Sequence, residues 1–220
     1  MVDFKLLQLG LKMKKVITQH CTVEQQDLFD ISRPINEAYA KKMGFEYIID
    51  SVRRCPERSI YWEKIAWLRD LLPRLEDGSL VVWEDADSAN IVDEDFCKAL
   101  PTGGILGMVQ NRAGIDCKQL INWYNAGVIV MKNCDLVRNF FDRVWIRTEE
   151  TDEEAMMGEL RENGWIVGDG IKISSLEPKW NCWINNAHIC SNVVVQSWHG
   201  MKFEDKLPAV KKFFNLNPLV

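Results

Sequence analysis

Leu80-Val81-Val82-Trp83-Glu84-Asp85-Ala86-Asp87 is the stretch that decides the fold. Its four consecutive apolar residues have strand length and leave no polar side for solvent, so they read as a strand covered on both faces, as in a parallel sheet. The run ends abruptly in Glu84-Asp85-Ala86-Asp87. In an open α/β sheet, ligands collect at the carboxyl ends of strands. Two carboxylates one residue apart at such a crevice repel unless a cation sits between them. Hard oxygen ligands suit Mg²⁺ or Mn²⁺, which typically also takes phosphate oxygens from a nucleotide. A solvated turn leading into the next helix is the other reading of the same residues.

Outward from this run, Lys15-Val16-Ile17-Thr18 fits a first strand, Val23 to Met43 a helix closed by Gly44, and Phe45 to Ile49 a second strand. Tyr61, Ile65, Leu68, Leu72 and Leu75 recur at helical spacing, with Glu63, Lys64, Asp70 and Arg74 off that face and a stop near Pro73. Further strands are expected at 105–109, 127–131 and 193–198, and helices at 136–147 and 152–163. Strands alternating with helices of this length predict an α/β layered sheet.

The 220 residues suit one compact domain, expected over 15–220 behind a loosely ordered leader at 1–14. Hydrophobic residues at 47% and charged residues at 27% exclude a disordered or collagenous chain. A net charge of -5 gives no chain-wide attraction to nucleic acid or anionic membrane. No stretch reaches the roughly 20 apolar residues of a membrane helix. Seven scattered cysteines without C-x-x-C spacing read as reduced thiols, so a cytoplasmic protein is expected.

Beyond the D-x-D, the segments fall in a recognisable order. Tyr61-Trp62-Glu63-Lys64 through Pro73, the strand at 80–83 and Asp85-Ala86-Asp87 resemble the helix, strand and D-x-D block of GT-A glycosyltransferases. Asn122 to Val130, followed by a helix with Phe140, Phe141 and Trp145, resembles the next element in the glycogenin-like and related galactosyl- and mannosyltransferase families. Asp152-Glu153-Glu154-Ala155 resembles their D-Q-D-A helix start, with a carboxylate where they carry the amide. Trp198-His199-Gly200-Met201-Lys202 resembles their late His-Gly-Lys segment, with His199 next to the glycine and Ser197 in the slot where relatives place a metal-binding histidine.

The resemblance implies a single GT-A (Rossmann-like) domain, with a mostly parallel sheet flanked by helices. It implies transfer of a sugar from a nucleotide diphosphate donor, UDP-glucose or UDP-galactose ahead of GDP-mannose, to a hydroxyl of a glycan or glycoprotein acceptor. The cofactor it implies is Mn²⁺ or Mg²⁺, held by Asp85, Asp87 and His199. Donor contacts would come from His20, Lys64, Asp85, Ala86, Asn125, Gly200 and Lys202, and Asp152 with Glu153 would face the reacting sugar in a transfer that retains the anomeric configuration. Such short domains resemble bacterial or large-virus enzymes, or one module of a longer enzyme.

Independently of the resemblance, Thr151-x-x-Glu154 is the pattern of a capping box, which would make Asp152 and Glu153 first-turn acids favoured by the helix dipole. Most of the nine tryptophans, Trp67, Trp83 and Trp145 included, sit on apolar faces and are expected in the core. Trp180, Trp183 and Trp198 are expected near the acceptor, where ring faces stack on sugars. A sugar-1-phosphate nucleotidyltransferase is the rival enzyme class, but it needs a Gly-rich loop after the first strand and Thr18-Gln19-His20-Cys21-Thr22 has no glycine. An inactive carbohydrate-binding domain of the same fold is the non-enzymatic alternative.

Overall fold

The computed structural model describes residues 13–110, 124–163, 173–183, 192–198 and 201–216. Among them, six strands form one sheet in the order β2-β1-β3-β6-β5-β7: β1 (Lys15–His20), β2 (Glu46–Asp50), β3 (Leu80–Glu84), β5 (Leu106–Gln110), β6 (Tyr124–Lys132) and β7 (Ile173–Leu176). β1 pairs in parallel with β2 and β3, and β5 with β7, whereas β6 runs antiparallel to both its neighbours. The expected mostly parallel sheet is therefore present, with one reversed strand near its middle. A second sheet of three short strands joins β4 (Ser88–Asn90), β9 (Val195–Ser197) and β8 (Cys182–Trp183) in the order β4-β9-β8.

All five residues of β3 are buried, and alternation along the strand explains why. Val81 and Trp83 enter one apolar cluster, against α2 (Glu63–Leu71), α3 (Asp135–Trp145) and α4 (Asp152–Glu162). Leu80 and Val82 enter another, with Tyr39 and Ala40 of α1 (Gln26–Met43), Phe96 and Trp180. Gly44 closes α1 in the left-handed conformation at φ 72°, which a glycine adopts without Cβ strain.

The sequence leaves several elements unmarked. The segment from 23 to 25 is a 3-10 turn rather than the first turn of α1, and β4, β7 and β8 are strands of two to four residues. A fifth helix, α5 (Phe203–Leu216), follows the His-Gly-Lys segment and carries Pro208 inside it. Leu207, Val210, Phe213 and Phe214 of α5 pack with Trp198, Leu28 and Ala89. The aromatic positions also need correction: Trp180 and Trp198 are 1% and 0% exposed, core residues rather than acceptor platforms. Trp145 is half-buried at the edge of its cluster.

Under the carboxyl end of β3 lies a buried polar layer. Glu84 accepts from Asn90 Nδ2 at 2.9 and 3.0 Å, and Asn36 donates to Gln19 Oε1 at 3.2 Å and to Ser88 O at 2.9 Å while accepting from Asn90 N. Burial pushes the Glu84 carboxyl up to about 8, against the opposite pull of Asn90. A group raised from its ordinary 4.5 is neutral in the folded chain at pH 7, and its contribution is lost as pH climbs toward about 8. Stability is therefore expected to fall by roughly 2–4 kcal/mol between about pH 5 and pH 8.5. Glu84→Gln, which keeps one acceptor for Asn90, flattens that slope; urea melts showing parallel declines in both proteins would contradict a neutral Glu84.

Candidate active site

The D-x-D is the turn by which the chain leaves the large sheet for the small one. Asp85 N donates to Gly127 O at 2.8 Å, extending the β3–β6 ladder by one step, and Ser88 N then donates back to Asp85 O at 3.0 Å. Gln19 Nε2 and Trp198 N hold the turn from outside, donating to the backbone oxygens of Asp85 and Asp87 at 3.0 and 3.2 Å. The solvated turn leading to a helix is thus replaced by a buttressed turn leading to β4.

This turn lines a cavity of about 550 Å³. His20, Lys64, Asp85, Ala86, Asp87, Asn125, Asp152, Glu153 and Lys202 all reach its wall, so the structure brings together nine of the positions singled out in the sequence. His199 and Gly200 lie outside the described residues, as does Asn122. Gln25, Ile60, Tyr61, Glu63, Trp83, Thr151, Met201 and Lys206 complete much of the lining.

Lys64 is the electrostatic centre. It is 8% exposed, and its ammonium lies 3.0 Å from Asp85 Oδ1 and 2.9 Å from Asp152 Oδ2 while donating to Ala126 O at 2.8 Å. Burial pulls this ammonium down, but Asp152 and Asp85 outweigh it and hold it above its ordinary range. Asp85 also accepts from Trp83 Nε1 at 2.8 Å. The Asp85 side chain is 29% exposed, toward the cavity. Burial pushes it up to about 6, with Asp87 and Asp152 adding to the rise and Lys64 opposing it.

The start of α4 is fixed by both arms of the expected capping box: Glu154 N donates to Thr151 Oγ1 at 3.2 Å and Thr151 N to Glu154 Oε2 at 3.3 Å. This aims Asp152 and Glu153 at the cavity. Glu153 Oε2 accepts from Asn125 Nδ2 and Ala126 N, both at 3.2 Å. Asn125 Oδ1 in turn accepts from Gly127 N at 2.8 Å and Asn181 Nδ2 at 2.6 Å, so Asn125 is tied into the protein on both sides. His20 Nε2 sits 3.2 Å from Val52 O and from Asp50 Oδ2.

Two residues outside the expected site, Lys206 and Glu63, also line the cavity. Lys206 Nζ lies 2.5 Å from Asp87 Oδ2, and Asp87 is 5% exposed. The apolar spacing of Leu207, Val210, Phe213 and Phe214, with Lys202 and Lys206 four apart, was the available signal for this helix face. Glu63 accepts from Arg54 N at 2.7 Å and Cys55 N at 3.0 Å, holding the loop after β2 against the site. No helical spacing distinguishes such a buried loop anchor from a surface acid.

No protein-family profile and no curated protein sequence matches this chain. Solved structures do. A glycosyltransferase involved in glycosylation of the major capsid of PBCV-1 matches over 91% of this chain and 100% of its own, with a TM-score of 0.68 at 9% identity. The galactosyltransferase LgtC matches over 89% of this chain and 95% of its own, with a TM-score of 0.54 at 12% identity. The glycosyltransferase GlyE of Streptococcus pneumoniae TIGR4 matches over 94% of this chain and 64% of its own, with a TM-score of 0.51 at 12% identity. The chain therefore has the GT-A glycosyltransferase fold.

Because Lys64 pairs with two carboxylates at once, Lys64→Met is expected to cost about 3–5 kcal/mol, the penalty for breaking a buried ion pair. Part of that loss should return toward about pH 5, where Asp85, which burial already pushes up to about 6, takes up a proton and its repulsion of Asp152 ends. Urea unfolding at two pH values measures both effects, and a cost under about 1 kcal/mol would remove Lys64 from the centre of the site.

Proposed function

We propose that this chain is a metal-dependent glycosyltransferase that moves a sugar from a nucleotide diphosphate sugar, with UDP-glucose or UDP-galactose favoured, to a hydroxyl of a glycan or glycoprotein. The observation that carries the reading is the meeting of the D-x-D turn, the Lys64-bridged Asp152 and the amino end of α5 on one cavity. The LgtC structure was solved with donor and acceptor sugar analogs, and the PBCV-1 enzyme acts in capsid glycosylation. On this reading the catalytic domain spans 15–220 and works in the cytoplasm.

The residues fit a divalent ion. Asp87 Oδ1 is buried with no hydrogen-bond partner among the described residues. Among the described residues no three His, Cys, Asp or Glu side chains converge as a metal cluster, but one or two carboxylates completed by substrate phosphates is the usual Mg²⁺ arrangement. Asp85 and Asp87 would hold the ion, with His199 as the third ligand. A bound Mn²⁺ or Mg²⁺ would supply Lewis-acid stabilisation of the charge that develops on the departing diphosphate.

The chain's own groups do the rest. Lys202, which lines the cavity, would pair with diphosphate oxygens, and His20 lines the wall at the end of β1, where base and ribose would lie. Asp152, aimed by the capping box and flanked by Lys64, stabilises positive charge at the anomeric carbon. For retention the acceptor enters on the face of the leaving group. Its oxygen bonds to the anomeric carbon as the bond to the diphosphate breaks, and its proton passes to a phosphate oxygen. Glu153 is a positioning group, since one of its oxygens takes two N–H donors.

A thermal-shift screen of nucleotide sugars tests the class, because a ligand of the native state raises its apparent stability by mass action. One UDP-sugar is expected to raise the melting temperature by several degrees with Mn²⁺ present and not without it, and Asp87→Ala to lose that shift while folding normally. Normal Mn²⁺-dependent turnover by Asp87→Ala would overturn the metal reading.

Mechanism is read from kinetics and product. Asp152→Asn is expected to lower kcat by about a hundredfold or more with KM little changed, whereas Glu153→Gln stays within about tenfold of the parent. A larger loss in Glu153→Gln would make Glu153 a base or charge stabiliser. NMR of the product is expected to show an α linkage from an α-linked donor, and a β linkage would end the retaining assignment.

A further inference from the structure

Lys206 lies outside every segment that carries the family resemblance, yet it makes the tightest contact in the cavity with the proposed metal ligand. Its Nζ is 2.5 Å from Asp87 Oδ2, with the two side chains 17% and 5% exposed. The other oxygen, Oδ1, is buried without a hydrogen-bond partner among the described residues. The lysine is delivered by a well-anchored element, since Leu207, Val210, Phe213 and Phe214 pack α5 against Trp198 and Leu28. One turn earlier Lys202, whose backbone oxygen accepts from Lys206 N at 3.2 Å, lines the same cavity.

Resting on the metal reading of Asp87, we propose that Lys206 is an internal counter-ion which a divalent cation must exchange for at Asp87, and that the displaced ammonium then binds the donor diphosphate. A divalent cation held by the Asp87 carboxylate would lie close to the ammonium that now occupies Oδ2, and a +2 and a +1 charge that close in a shielded cavity repel strongly. Without either cation, Asp87 would be a buried carboxylate with no opposite charge. The exchange avoids both situations. The ammonium rides on a flexible four-carbon stem, so it can leave Asp87 and remain in the cavity. An incoming diphosphate brings the negative charge that receives it. Metal and nucleotide diphosphate consequently assist each other's binding, and by linkage the assistance is equal in both directions.

The test uses Mn²⁺ alone and then UDP, titrated calorimetrically into the full chain. Lys206→Met, which keeps the apolar stem, is expected to bind Mn²⁺ about tenfold more tightly than the parent and UDP at saturating Mn²⁺ about tenfold more weakly. Lys206→Arg, which keeps the cation, should stay within about threefold of the parent for Mn²⁺. Mn²⁺ affinity in Lys206→Met that is unchanged or weaker overturns the exchange while leaving the metal reading of Asp87 intact. Absence of Mn²⁺ binding in all three proteins, with and without UDP, overturns both. Should Lys206→Met fail to fold, hydrogen exchange of the parent decides: added Mn²⁺ should speed exchange at the amides of 204–207, and Asp87→Asn should abolish the response. Exchange insensitive to Mn²⁺ in the parent overturns the proposal.

Discussion

A single ammonium sets the geometry on which the cavity depends. Lys64 reaches from α2 to the carboxylate after β3, the carboxylate that starts α4 and a carbonyl of β6, so three chain segments distant in sequence are tied at one point. Two acids and one base, with Lys64 and Asp152 buried and Asp85 partly so, would be a poor way to gain stability alone, since desolvation offsets much of the attraction. Their value lies in placement. Asp85 and Asp152 cannot drift apart without leaving a charge unpaired, which fixes the distance between the two ends of the proposed reaction centre.

The fold was legible wherever burial is simple. A strand such as β3, covered on both faces, must be apolar at every position, and helices such as α2 must repeat their apolar residues at a fixed period. The small sheet was not legible, because β4 reads Ser-Ala-Asn and owes its conformation to β9, whose partner residues lie over a hundred positions later. Its polar side chains bond inside the protein, Ser88 with Ser197 of the same sheet and Asn90 Nδ2 with Glu84 of β3. Tertiary pairing decides such segments, and local propensity carries little of that information. Trp180 and Trp198 were misjudged for a related reason: loop-like surroundings suggested exposure, while Phe96 and the aromatic end of α5 cover them.

The candidate site was legible where charge stood against an apolar background. Asp85 and Asp87 interrupt a strand pattern, and Thr151 to Glu154 is a local pattern whose two hydrogen bonds need no distant partner. What the sequence concealed was pairing. Nothing in the spacing of Lys64 announces that it neutralises acids at 85 and 152, and nothing at 206 announces a contact with 87. Charge complementarity of this kind appears only when the topology has brought the elements together.

The reversed strand explains how that happens. Parallel strands β1, β2 and β3 all bring their carboxyl ends to one edge, where His20, Asp50 and Asp85 follow one another. A fourth parallel neighbour would add another carboxyl end. Antiparallel β6 instead brings its amino end there, with Val128 opposite Glu84, so that Asn125, Ala126 and Gly127 stand beside the D-x-D turn. Their backbone groups supply what side chains at a crowded edge cannot. Gly127 O receives Asp85 N, Ala126 O receives Lys64, and Ala126 N with Asn125 Nδ2 holds Glu153. One reversal of chain direction thereby converts a row of carboxyl ends into a walled cavity, with peptide groups as fixed donors and acceptors between the acids that must be kept apart.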